Sequence, residues 1–596
     1  MSAYTFQRRD LEYANDAWRP LDRALLRWVL AHGGSELLAT TVAWASFADG
    51  NGDIALPMRD ATSRRGGMPV WSPAHIAALR AEPMVSVDDT GAMTPFVLDD
   101  DGRFYLWRNR RDESAVVEQL RRRRADCTRA SVGEADLDTL FHGRDDAAIA
   151  PQRAAVRQVA GRKLFVLTGG PGTGKTTTVL RMLLMLQRLA QTPLTIRVAA
   201  PTGKAAQRLN HALREGKRGL LHDASMPVPA DWHALLDRVP DHEALTLHRL
   251  LGYQPWNNRY KRSARDPIAA DIVVVDEASM IDLAMLRSLL EALRPDATLL
   301  LVGDADQLTS IAAGSVLMDL VLVMEPEGDG DIVRLHHSFR AEQSLAAINE
   351  SVRNGDADAF TQAWHAAGER ACRREVANAR QLAHCVRTWA DDLARLDLRP
   401  LTVGADAPRS ATVHAVLRKL AIHQLLCALR ESAFGSLAVN AAIERQLKQA
   451  WSVPETTRWY PGRAIMVTRN DYAARLFNGD VGMCLADADG DLRVWFESSD
   501  EAGHATVRSF LPSALPSHEG AFAITIHKSQ GSEYDRVAVL LPPESDNRIL
   551  SRQLLYTGLS RARQGVELWS GDSALETAFA RPVQRASGLA ARLRGR

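Results

Sequence analysis

The chain has 596 residues, 46% hydrophobic and 24% charged, with 73 Lys and Arg against 72 Asp and Glu. That length suits three or four globular domains with full cores. The net charge of +1 excludes a wholly basic nucleic-acid coat, so binding of that kind must come from local patches. Five scattered cysteines (Cys127, Cys372, Cys385, Cys427 and Cys484) form no C-x-x-C pair, which speaks against a zinc or iron–sulfur site and suits a reducing cytosol. The opening residues lack the apolar core of an export signal, and no run of about 18 uncharged apolar residues marks a membrane span. A cytoplasmic location is expected.

Residues 1–140 carry helical patterning at Pro20–His32 and Ser35–Ser46, a strand signal near Phe104–Arg108, and no motif. They are expected to form a helical docking or accessory domain. The run Arg121–Arg124 reads as a solvated helix face rather than a DNA contact. About ten residues before the first strong strand stands Gln152, whose paired donor and acceptor suit an adenine edge.

Lys163–Thr168 reads as a short apolar strand, followed by Gly169-Gly170-Pro171-Gly172-Thr173-Gly174-Lys175-Thr176. This is G-x-x-x-x-G-K-[ST], the phosphate-binding loop. Its glycines let backbone N–H groups surround a polyphosphate. Lys175 reaches the β- and γ-phosphates, the Thr176 hydroxyl binds Mg²⁺, and the helix opening at Thr176-Thr177 turns its positive end to the anion. Thr177–Leu189 is apolar nearly all round, as in a helix buried in an α/β core.

The strand Thr195–Ala200 ends at Pro201-Thr202-Gly203-Lys204. Strand ends of this kind hold ligand contacts in open α/β sheets, so Thr202 and Lys204 either grip a phosphate backbone or form an ordinary turn. Thr246 and His248 precede a basic hairpin at 252–270, with Trp256 and Tyr260 flanking Asn257-Asn258. Aromatic rings among Arg and Lys can stack bases or wedge a duplex, although a plain surface loop competes. Asp271–Val275 delivers Asp276-Glu277, where Asp276 would hold Mg²⁺ and Glu277 would polarise the attacking water. Thr298–Val302 leads to Gly303-Asp304-Ala305-Asp306-Gln307, and Gln307 can sense the γ-phosphate.

Residues 341–400 are mostly helical in pattern. A second α/β unit follows, with apolar strands at His423–Leu429, Ala464–Val467, Phe522–Ile526, Arg536–Leu541 and Val566–Trp569, and without a glycine-rich loop. Alternation across Val481–Leu511 predicts a small inserted β unit, at about 481–521. Thr525, His527 and Lys528 lie where a strand gives way to a polar turn. Arg340 and Arg561 are the candidate arginines for the γ-phosphate, brought from one domain onto a nucleotide held by another.

In order, these segments resemble the motif series of superfamily 1 helicases, over about two-thirds of the chain. The wording APTGKAA, TLHRLLG, VVDEASM, GDADQL, ITIHKSQGSEYD and YTGLSRAR is similar to the 5′→3′ branch and specifically to the RecD family, the alpha subunits of exodeoxyribonuclease V. Ser560 stands where Thr is usual, and LHHSFR is a loose form of its motif. The resemblance implies an α/β fold of two RecA-like P-loop NTPase domains: 141–345, with the hairpin insertion, and 346–596, with the β-rich insertion. It implies ATP and Mg²⁺ in the cleft between them. Single-stranded DNA would lie across both, touching Thr202, Lys204, Thr246, His248, Trp256, Thr525, His527 and Lys528. The implied activity is 5′→3′ translocation at duplex ends beside RecB and RecC, with the nuclease in a partner subunit. A stand-alone helicase, or a structural subunit using ATP as a switch, are the alternatives.

Overall fold

The structure, a computed structural model, describes residues 18–59, 68–88, 93–128, 130–222, 228–310, 312–339, 343–396, 398–399, 409–471, 473–487, 489–499, 505–583 and 585–595. Among them no helix is long and apolar enough to cross a membrane.

The first lobe is built on six parallel strands in the order 332–335, 164–169, 298–303, 272–275, 196–200, 245–246. The inner strands are continuous apolar runs, such as Ile272–Val275, because helices cover both faces. All four motif-bearing turns leave the carboxyl ends of these strands, so Gly169–Gly174, Pro201–Lys204, Asp276–Glu277 and Asp304–Gln307 gather on one edge. Helix Glu134–Phe141, which straddles the expected boundary at residue 140, buries Leu137, Leu140 and Phe141 in this lobe's core.

The second lobe has five parallel strands in the order 371–374, 562–569, 534–540, 423–427, 523–525. Its edge strand Ala371–Arg374 interrupts the region read as helical. Its sequence ACRR has the polar, basic character of a sheet edge and none of the apolar alternation that marks a strand.

The inserted β unit is larger than the expected 481–521. It is an antiparallel sheet in the order 505–510, 492–499, 481–486, 464–467, 518–520, so Ala464–Val467 belongs to it and not to the parallel sheet. The reason is burial on both faces. Ile465 and Val467 enter the insertion's own core, while Ala464 and Met466 enter the core of the second lobe. A strand buried on both sides reads as a continuous apolar run, whichever sheet it joins.

The N-terminal region contains helices Pro20–Ala31, Glu36–Gly50, Pro73–Arg80 and Trp107–Ala125, and adds a small four-stranded sheet. Helix Glu36–Gly50 is capped by Ser35, which accepts the Leu38 N–H at 3.1 Å, and is buried from Leu38 to Ala48. The Arg121–Arg124 run is only in part the solvated face read from the sequence: Arg121 and Arg122 are exposed, whereas Arg123 and Arg124 are engaged. Arg123 is buried and donates to the carbonyls of Ala297 (2.7 Å) and Arg294 (3.0 Å), and Arg124 pairs with Glu327, Asp329 and Asp331. These arginines clamp the N-terminal helix to the first lobe.

The chain ends by leaving the second lobe. Residues 585–593 lie in the seam between the N-terminal region and the first lobe, with Leu589 and Leu593 in a core shared with Val116, Leu120 and Leu320. Beneath them is Asp319, on helix Val316–Glu327. Burial, opposed by the Ser587 hydroxyl and reinforced by Glu113, pushes its carboxyl up to about 7. A carboxyl with a raised folded pKa holds its proton longer in the folded state. The penalty therefore begins when the unfolded chain ionises, grows as the pH climbs towards 7, and is constant above, reaching about 4 kcal/mol. Urea unfolding should show Asp319→Asn gaining stability over the parent as the pH rises from about 5 to 7, with no further gain towards 8.5.

Candidate functional site

The phosphate loop hangs between strand Leu164–Gly169 and helix Lys175–Leu189. Gly172 and Gly174 have φ of 76° and 81°, the left-handed conformation that turns successive N–H groups inward. Gly174 also has no room for a side chain, since a Cβ there would lie 2.7 Å from Gln152 Nε2. The loop is braced on several sides. Thr173 Oγ1 donates to the Gly170 carbonyl at 2.8 Å, the Phe339 N–H to the Gly172 carbonyl at 2.9 Å, and Ser338 Oγ approaches the Pro171 carbonyl at 3.5 Å. The Lys175 ammonium folds onto the carbonyls of Gly169 (2.7 Å) and Gly170 (2.9 Å). Thr176 and Thr177 occupy the first helical turn.

Gln152 is buried beside this loop. Its Nε2 donates to the Thr173 carbonyl at 3.1 Å, and its Oε1 accepts from Arg181 at 3.3 Å. In this conformation the amide holds the loop backbone. Arg181 in turn stacks on Phe141 at 4.4 Å, and burial lowers its pKa to about 10.

Asp276 is half-buried just past the end of its strand, and its Oδ1 accepts the Glu277 N–H at 2.9 Å. Burial and the adjacent Glu277 push the Asp276 carboxyl up to about 6, against the pull of Lys175. The carboxylate of Asp276 and the hydroxyl of Thr176 are hard oxygen donors of the kind that suits a divalent metal. Glu277 has φ of 52°, a strained position for a non-glycine residue. Its Oε1 lies 3.8 Å from where a Cβ on Gly531 would stand, so the second lobe covers it.

The two lobes meet through a chain of polar side chains. Arg561, buried in the second lobe, donates through Nη2 to Gln307 Oε1, and through Nε to the Thr557 carbonyl at 3.1 Å. Gln307 Nε2 donates to Asp304 Oδ2 at 2.8 Å, and the Tyr556 hydroxyl donates to the same oxygen at 3.0 Å. A Cβ on Gly170 would lie 2.9 Å from that hydroxyl, so Tyr556 abuts the phosphate loop. The Leu308 N–H donates to Thr557 Oγ1 and its carbonyl accepts from Gln530 Nε2, each at 2.8 Å. Asp304 and Tyr556 stand inside motifs legible in the sequence, yet their pairing depends on sheet order and was not. Arg340 lies outside the described residues.

The candidate strand contacts fall on the same edges. Ala200 pairs with Thr246, and Thr202 follows two residues beyond that pair. Thr202 Oγ1 accepts the Ala205 N–H, and Thr246 Oγ1 the Arg249 N–H. His248 packs on Tyr253 at 5.2 Å, and Tyr253 on Tyr260 at 5.6 Å, at the foot of a hairpin formed by Tyr253–Gln254 and Arg259–Tyr260. Trp256 at its tip is 78% exposed. Thr525 is buried and accepts the Lys528 N–H at 3.3 Å, while the Lys528 ammonium pairs with Glu519. Burial, and then Arg585, lower the His527 pKa, so its ring stays neutral. Lys204 lines a cavity of about 240 Å³ with Arg208, Asp480, Glu497, Glu533 and Arg563. Phe477 of the insertion closes over Gly203, where a Cβ would lie 2.7 Å from its ring.

Two parallel α/β lobes, a single phosphate loop and a buried arginine spanning the cleft define a nucleotide-binding P-loop protein of two-lobed helicase build. Residues 152–313 match an AAA domain and residues 520–568 a UvrD-like helicase C-terminal domain. The chain is 37% identical over 574 residues to the RecBCD enzyme subunit RecD of Mycobacterium tuberculosis, covering 95% of this chain and 92% of that one. It is 33% identical to its counterpart in Haemophilus influenzae, over 74% of this chain and 71% of that one. The ATP-dependent RecD2 DNA helicase of Deinococcus radiodurans is 29% identical over 74% of this chain and 52% of its own length. The chain belongs to the RecD family.

Gly174→Ala places a methyl group against Gln152 in a left-handed backbone. Titration with a fluorescent ATP analogue should show affinity reduced by about tenfold or more in a chain that still folds.

Proposed function

We propose that the chain is an ATP-dependent 5′→3′ DNA helicase and translocase, the motor subunit of a RecBCD helicase–nuclease that acts on double-strand DNA ends. One observation carries the reading: Arg561 of the second lobe reaches Gln307 of the first, at the carboxyl edge that also bears Lys175, Asp276 and Glu277. A nucleotide between them is gripped by one lobe and sensed by the other, so its hydrolysis changes the contact between lobes.

In this reading 141–345 and 346–596 are the motor domains and 1–140 docks the partners RecB and RecC. Gln152 borders the base, the loop from Gly169 to Thr177 holds the phosphates, and Thr176 with Asp276 holds Mg²⁺. The metal supplies charge withdrawal from the phosphates when bound. Glu277 takes the proton of the attacking water, Gln307 senses the γ-phosphate through its amide, and Arg340 and Arg561 neutralise charge on the transferred phosphoryl group. Single-stranded DNA runs along the edge with Thr202, Lys204, Thr246, His248, Thr525, His527 and Lys528, and the hairpin bearing Trp256 parts the duplex. The nuclease belongs to a partner. Exposed apolar side chains on the N-terminal region, including Leu21, Trp28, Val70 and Met93, favour a partnered subunit over a solitary one.

Lys175→Gln should abolish DNA-stimulated ATP hydrolysis yet co-purify with RecB and RecC, and normal ATPase in that variant refutes the assignment. Glu277→Gln should bind ATP and hydrolyse it about a hundredfold more slowly or worse. Trp256→Ala should slow unwinding of a forked duplex about tenfold while single-strand-stimulated ATPase changes little.

A further inference from the structure

Arg585 lies outside the nucleotide pocket, yet its guanidinium closes the loop that carries Gln307. Nη1 donates to the carbonyls of Ala312 (2.7 Å) and Gly314 (2.9 Å) and reaches Ser310 Oγ at 3.4 Å. Nη2 donates to the Ser310 carbonyl. One planar fork thus takes three carbonyls of a single turn, a task suited to arginine's fixed donor geometry. The same loop starts at Gln307, and its Leu308 is held at both N–H and carbonyl by Thr557 and Gln530 of the second lobe. The second lobe grips one end and Arg585 the other.

Arg585 arrives on the terminal segment, which is tied to the N-terminal region. The Ala586 N–H donates to Asp53 Oδ1 at 3.0 Å, the Ile54 N–H to the Ala586 carbonyl at 2.8 Å, and the Gly588 N–H to Glu113 Oε2 at 2.9 Å. The Gly314 N–H donates to the Gly52 carbonyl at 3.0 Å. Gly52 lies against the guanidinium itself, where a Cβ would stand 2.6 Å from Arg585 Cζ. N-terminal region, terminal segment and sensor loop meet at one point.

We infer that Arg585 is a positioning residue for ATP hydrolysis. It holds the turn at Ser310, Ala312 and Gly314 so that Gln307 stays aligned with Arg561, and it makes that alignment depend on how the N-terminal region is docked. The inference rests on the reading of Gln307 as the γ-phosphate sensor. A staple with no role beyond stability lowers the fraction of folded protein but leaves the turnover of each folded molecule unchanged.

The test uses the full chain. Single-strand-stimulated ATP hydrolysis is measured against ATP concentration and normalised to active molecules by titration with fluorescent ADP. Arg585→Ala should lower kcat about fivefold or more while KM moves less than about twofold, and Arg585→Lys should recover part of the loss. Gly588→Val should reproduce the kcat loss with Arg585 intact, because a Cβ there would lie 2.6 Å from Glu113 Oε1 and the segment cannot dock. Parental kcat per active molecule in Arg585→Ala overturns the inference, as does a change confined to KM. Gln307→Ala, measured alongside, separates the two readings. Parental kcat in Gln307→Ala removes the sensor assignment itself, whereas loss there without loss in Arg585→Ala removes only the role of Arg585.

Discussion

Arg561, Gln307, Asp304 and Tyr556 form one line of hydrogen bonds from lobe to lobe, and the rest of the molecule is arranged around it. An amide such as Gln307 has one accepting and one donating end. Here the accepting end faces a guanidinium of the second lobe and the donating end faces a carboxylate of the first. The orientation of that amide is therefore set from both sides. Buried polar groups that lose a partner are penalised heavily, so the line holds or breaks as a unit. In the proposed function, a phosphate near Lys175 competes for the same donors, and so couples a local change in charge to the contact between lobes.

The acidic pair beside that line is arranged differently. Asp276 is half-buried with its carboxyl raised, while Glu277 is held in a left-handed backbone with its carboxylate beside the turn at Gly531. Neighbouring carboxylates thus have distinct surroundings, one suited to a cation and one facing the other lobe. The strain at Glu277 is sustained by the rigid strand before it and the short 3₁₀ turn Ala278–Met280 after it.

Much of this was legible in the chain because phosphate chemistry imposes strict local demands. The glycine-rich loop, Asp276-Glu277 and Gln307 follow apolar strands, and each strand was readable from its unbroken hydrophobic run. What escaped was set by long-range packing. Ala464–Val467 looked like a parallel strand because two cores claim its two faces. Ala371–Arg374 went unmarked within a stretch rightly read as mostly helical, because an edge strand needs few apolar residues. Within Arg121–Arg124, Arg123 was read as solvated like its exposed neighbours because nothing local reveals that it meets the carbonyls of residues 294 and 297. Asp304 and Tyr556 are 252 positions apart, and their bond follows from sheet order alone.

The resting place of Lys175 has a consequence for selectivity. Its ammonium is already satisfied by the carbonyls of Gly169 and Gly170, two bonds to the loop that cradles it. An incoming anion must replace both before it gains the cation, so a single weakly charged oxygen achieves little. A triphosphate tail presents several charged oxygens at once and also occupies the inward-facing amides. The same pair of contacts therefore favours a ligand with several charged oxygens over one that offers a single weakly charged oxygen.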